Sequence, residues 1–165
     1  MILVSACLAG VQCRYNGKDN FVASIAELVK QGKAIPVCPE ELGGLPTPRE
    51  PVDIEKGNGF DILKGKGRLL TESGTEVTEQ FLQGAEKVLQ IAREQGVKMA
   101  VLKERSPSCG SNRIYNRISN CMGDVKRELV QGMGVTAAIL KNDKITVLSE
   151  EQLDQNTLNR ILQDQ

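Results

Sequence analysis

The chain has 165 residues, a length suited to one domain, with 40% hydrophobic and 25% charged residues and a formal net charge of zero. That balance argues against long nucleic acid or an anionic membrane as the partner, and 3% aromatic residues leave few platforms for stacking bases. The absence of His excludes Ser-His-Asp and Cys-His nucleophile systems, Cys/His zinc sites and zincin helices. Acid–base work therefore falls to Glu, Asp, Lys, Tyr, Cys or a hydroxyl.

The first expected element is a buried strand over Ile2 to Ala6, where an apolar run ends abruptly in a Gly/Cys loop. A helix follows over Phe21 to Lys30, with Asn20 as its cap and Gly32 as its stop. Ala34 to Cys38 reads as a second strand, broken by Pro39, and the loop from Glu41 to Pro51 is rich in turn residues. Val52 to Leu70 reads as short hairpin strands around Gly57, Gly59, Gly65 and Gly67.

The clearest helix spans about Thr78 to Gln95, because Val77, Phe81, Ala85, Val88 and Ala92 recur at helical spacing. Thr75 or Thr78 can cap it, and Gly96 ends it. A third strand is expected over Lys98 to Lys103, a helix over Gly134 to Leu140, a fourth strand over Lys144 to Leu148 and a last helix over Glu150 to Leu162. Alternating strands and helices imply an α/β fold: a single Rossmann-like, three-layer domain over 1–165, with a mostly parallel sheet and a small hairpin insertion. No repeat, low-complexity tract or interdomain linker interrupts it.

Five cysteines cannot all pair within one chain. The apolar start is short and lacks a preceding basic segment, and no apolar run approaches the roughly 20 residues of a membrane helix. A cytoplasmic location is expected, where clustered cysteines point to metal or catalysis.

Three of the five lie where a parallel sheet binds ligands, beyond the carboxyl ends of its strands. Cys7 follows the first expected strand, Cys38 ends the second and Cys109 follows the third. Each has a plainer reading too: Cys7 as a small apolar core residue, Cys38 and Glu40 as parts of an ordinary turn, and Cys109 as incidental to a charged loop. Prolines on both sides stiffen the Cys38 backbone, and Glu40 is near enough to act as an acid or base. Around Cys109, Ser106 and Ser108 supply hydroxyls, with Lys103 and Arg105 upstream. No close C-x-x-C spacing marks a zinc knuckle or ferredoxin. Three thiolates suit a [4Fe–4S] cluster with one iron open, as in a catalytic cluster.

Several of these segments resemble those of a bacterial family first catalogued as a domain of unknown function, YbbK-like, whose members are identified as thiouracil desulfidases. They are Ser5-Ala6-Cys7-Leu8, Cys13-Arg14-Tyr15-Asn16-Gly17, Pro36-Val37-Cys38-Pro39-Glu40, the Leu42 to Arg49 loop, Lys103 to Gly110, and Gly134-Val135-Thr136-Ala137-Ala138. The likeness runs in order from Met1 to about Glu150. It implies a [4Fe–4S] cluster on Cys7, Cys38 and Cys109 and non-redox conversion of thiouracil to uracil and hydrogen sulfide. It also implies catalytic roles for Glu40 and Ser106, with Ser108 the other candidate for the hydroxyl role. Cys13 ranks fourth among the ligands, at a position the family does not always fill with Cys.

The chain departs from the family pattern where Tyr115 is followed by Asn116-Arg117 instead of Asp-Gly. It departs again in a longer Ile118 to Gln131 segment that contains Cys121. The expected partner is a small thiolated pyrimidine. Two alternatives stand beside desulfidation: a sulfur carrier or transferase for nucleotide or tRNA thiolation, and a zinc-stabilised binding module without catalysis.

Overall fold

The computed structural model describes residues 1–119 and 122–163. Cys121, expected to play no part in the cluster, lies outside them. In chain order the elements are β1 (Ile2–Ser5), α1 (Ala23–Lys30), β2 (Ala34–Val37), α2 (Pro39–Leu42), β3 (Val52–Ile54), α3 (Gly59–Leu63) and β4 (Leu69–Thr71). They continue with α4 (Thr78–Glu94), β5 (Met99–Leu102), β6 (Arg113–Ser119), β7 (Val125–Gln131), α5 (Val135–Asn142), β8 (Thr146–Ser149) and α6 (Gln155–Gln163).

The four apolar runs form one parallel sheet in the order β2-β1-β5-β8. All four residues of β1 are buried, as a central strand covered on both faces requires. Helix α4 covers one face with Val88, Leu89 and Ala92, while Phe81 and Ala85, on the same stripe its sequence spacing marks, pack against Val52, Ile54 and Ile62. The chain leaves β1 for β2 on one side and returns to β5 on the other. This places the topological switch point, and the crevice that goes with it, at the carboxyl ends of β1 and β5. No helix among the described residues is long and apolar enough to cross a membrane.

The hairpin insertion is larger than expected. Strands β3 and β4 do pair antiparallel, but α3 lies between them, started by a reciprocal Asn58–Asp61 capping box. They join the β6/β7 hairpin in a second, mixed sheet of order β4-β3-β6-β7. Every residue of β7 except Val130 is exposed, so no apolar alternation signals this strand. The Arg127 guanidinium ties it down, donating to both Asp53 carboxylate oxygens at 2.7 and 2.8 Å and lying 4.1 Å from the centre of the Tyr115 ring.

Two helix starts and one cap also differ, each for a local reason. Helix α1 begins at Ala23 because the Asn20 and Val22 amides donate instead to the Cys7 and Leu8 carbonyls, at 2.9 and 2.8 Å. Thr78 does not cap α4, since its hydroxyl accepts the Leu69 amide at 3.0 Å and pins β4. The last helix is interrupted after a 3₁₀ turn over Glu150–Gln152, and Asp154 restarts it by accepting the Thr157 amide at 2.7 Å.

Candidate metal centre

Each of the three strand-end cysteines sits on a different loop of the crevice. Cys7 lies in the 3₁₀ turn Ala6–Ala9 directly after β1, Cys38 is the residue before α2, and Cys109 is on the loop after β5. Together with Cys13 they line one cavity of about 350 Å³. All four are free thiols, with Cys7, Cys13 and Cys109 buried and Cys38 half-buried. Glu40 and Ser106 line the same cavity.

The Cys109 loop is held from two sides. The α5 amides of Val135, Thr136 and Ala137 donate to the Pro107 and Ser108 carbonyls at 2.8 to 3.0 Å. A side chain at Gly134 would strike the Ser108 backbone, which accounts for the glycine there. On the other side Glu104, only 3% exposed, accepts the amides of Ser111, Asn112 and Arg113 and the Asn112 side chain at 2.8 to 3.1 Å.

Burial pushes the Glu104 carboxyl up, but its bonds from Asn112, Arg113 and Arg105 outweigh burial and hold it at about 2. A folded value below the ordinary 4.5 means stability that is present above that pH and is lost as pH falls toward 2. Glu104→Gln is expected to cost about 3 kcal/mol at pH 7, with the deficit shrinking by pH 3. Urea unfolding of both proteins at the two pH values measures it. Equal midpoints at pH 7 would show that the clamp contributes nothing.

Glu40 is oriented by Ser108. The fully buried Ser108 hydroxyl donates to Glu40 Oε1 at 2.6 Å, and the Cys38 thiol approaches Oε2 at 3.6 Å. Ser106 sits one step further back. Its Oγ accepts the Ser108 and Cys109 amides at 3.2 and 3.0 Å and is 2.9 Å from the Ser108 hydroxyl. The structure thus pairs Ser108 with Glu40 and leaves Ser106 at the cavity wall.

Arg49 is a site residue that sequence reasoning placed in a matching segment without giving it a role. Its Nη2 donates to the Cys13 carbonyl at 3.0 Å and its amide to the Tyr15 carbonyl at 2.7 Å. It thereby fastens the Cys13 loop to the proline-rich loop. The signal available in the sequence was an Arg closing a run of prolines, where a long donor can satisfy carbonyls left bare by the turns.

The Cys13, Cys38 and Cys109 thiols are held protonated. The Cys38 contact lowers the Cys13 thiol, but the Cys7 thiol and burial push it up to about 12. Contact with Cys13, burial and the Glu40 charge all push Cys38 up. Burial, then Glu40, pushes Cys109 up to about 12. Buried free thiols around one cavity are a soft donor set whose protons a thiophilic metal would displace. They fit an iron–sulfur cluster.

Comparison with known proteins agrees with this chemistry. The sequence profile of a family described as 2-thiouracil desulfurase matches residues 2–152. Protein YbbK of Bacillus subtilis (strain 168) is 47% identical over 154 residues, which cover 93% of this chain and 98% of the relative. The solved structure of a [4Fe-4S]-dependent thiouracil desulfidase, TudS, superposes with a TM-score of 0.79 at 40% identity, covering 99% of this chain and 98% of that one.

Proposed function

The chain belongs to the 2-thiouracil desulfurase family, and from that premise we propose that it removes sulfur hydrolytically from a thiolated pyrimidine, with Cys7, Cys38 and Cys109 holding a [4Fe–4S] cluster. The whole of 1–165 serves as one desulfidase domain. The observation that carries this reading is the convergence of free thiols and a serine-held carboxylate in one cavity at the switch point of the parallel sheet.

When bound, a cluster with three protein thiolates supplies an open iron, a soft Lewis acid suited to a thiocarbonyl sulfur. The remaining work falls to this chain's own groups. Glu40 takes a proton from the water that adds to the thiocarbonyl carbon. Ser108 donates to Oε1 and leaves Oε2 facing the thiols, so the carboxylate needs no reorientation to act. The Ser106 hydroxyl contacts the substrate from the cavity wall. Water supplies the oxygen of the product and sulfur leaves as hydrogen sulfide, so no electrons are gained or lost overall.

Anaerobic reconstitution is expected to give about four irons per chain, the content of one [4Fe–4S] cluster. Cys7→Ala, Cys38→Ala and Cys109→Ala should each lose that iron, while Cys121→Ala keeps it. Addition of thiouracil to the loaded protein should yield uracil and sulfide in equal amounts. Failure to take up iron, or transfer of sulfur onto uracil instead of release from thiouracil, would defeat the reading.

A further inference from the structure

Cys13 and Cys38 form a tighter group than the rest of the cavity. Their two Sγ atoms and a carboxylate oxygen of Glu41 all lie within 4.8 Å of one another. A tetrahedral zinc ion with Zn–S of about 2.3 Å and Zn–O of about 2.1 Å sets its ligand atoms roughly 3.6 to 3.8 Å apart. Small side-chain rotations within the observed limit reach that spacing.

The backbone around these ligands is already braced. Arg49 holds the Cys13 carbonyl at 3.0 Å. Cys38 and Glu41 are three residues apart at the start of α2, which turns them to one side. Among the described residues Glu41 accepts the Thr47 hydroxyl, at 3.3 Å on Oε1, and its side chain is exposed. A buried thiol, a half-buried thiol and one exposed carboxylate leave a fourth position open to water. This donor set is too small and too closely spaced for a four-iron cluster, and it suits one ion.

We propose that Cys13, Cys38 and Glu41 form a site for a single thiophilic divalent cation of zinc's kind, sharing Cys38 with the cluster. Binding converts two thiols to thiolates and releases two protons, with no change of oxidation state. The sharing rests on the cluster assignment above, and through it ion and cluster exclude each other. A chain that meets zinc first is blocked from cluster assembly until the ion is removed.

The test is an anaerobic titration of metal-free protein with zinc against a chromophoric chelator, followed by reconstitution with iron and sulfide. One zinc per chain is expected. Cys13→Ser should weaken it at least 100-fold and Glu41→Gln about 10-fold, whereas Cys109→Ala leaves it intact. The iron results should run the other way, with Cys13→Ser retaining iron and Cys109→Ala losing it. Zinc-loaded protein should develop no cluster absorption until chelator is added. No zinc uptake, uptake indifferent to Cys13→Ser, or full cluster assembly on zinc-loaded protein would overturn the proposal. A chain that binds zinc with this variant pattern yet never takes up iron would overturn the cluster assignment and leave the zinc site standing.

Discussion

Glu40→Gln is expected to keep its full iron content and to release sulfide from thiouracil about 10²–10⁴-fold more slowly, the usual worth of one general base. The chain has no His, so a carboxylate is the natural base, and Glu40 is held within 3.6 Å of a cluster-side thiol. Its second oxygen is occupied by the Ser108 hydroxyl at 2.6 Å. Gln fills the same space and can still accept the Ser108 proton through its carbonyl, so the fold and the thiols stay in place. The loss should therefore fall on kcat. Measuring sulfide release at matched cluster content checks it, and full turnover would remove Glu40 from the mechanism.

Gly84→Ala should be the most damaging substitution distant from the cavity, unfolding the protein at markedly lower denaturant and reducing iron loading. Helices α2 and α4 meet at Gly43 and Gly84 with no side chain between them. A Cβ at Gly84 would collide with the Pro39 carbonyl oxygen, and one at Gly43 with the Gln80 carbonyl oxygen. Both obstacles are backbone and cannot rotate aside. Lys87 reinforces the contact by donating to the Leu42 carbonyl at 2.9 Å. Added bulk must push α2 off α4, at a cost of about 2–4 kcal/mol. Because Cys38 and Glu40 are carried by the start of α2, the same shift moves the proposed ligand and the proposed base together. Urea unfolding and iron analysis of the variant read both effects. A midpoint matching the parent would show that the helices separate freely.

The parallel sheet was legible because its strands are short apolar runs, and local periodicity reports burial directly. Alternation with helices then put Cys7, Cys38 and Cys109 at neighbouring strand ends before any contact was known. Strand β7 escaped the same logic: its polar residues are exposed on both faces, and what anchors it is Arg127 reaching Asp53, 74 residues away in the chain.

The site divides along the same line. Residue type and position marked Glu40 and the two serines as candidates, but the choice of Ser108 as the partner of Glu40 depends on a hydrogen bond spanning 68 residues. The Cys38 thiol meets the Cys13 carbonyl across 25 residues, on a loop that Arg49 helps to pin. Residue type and strand pattern are enough to mark which residues carry soft-metal and acid–base chemistry and at which end of the sheet they gather. Which of them touch follows from the packing of whole elements, since contacts between distant loops leave no periodic trace in the chain.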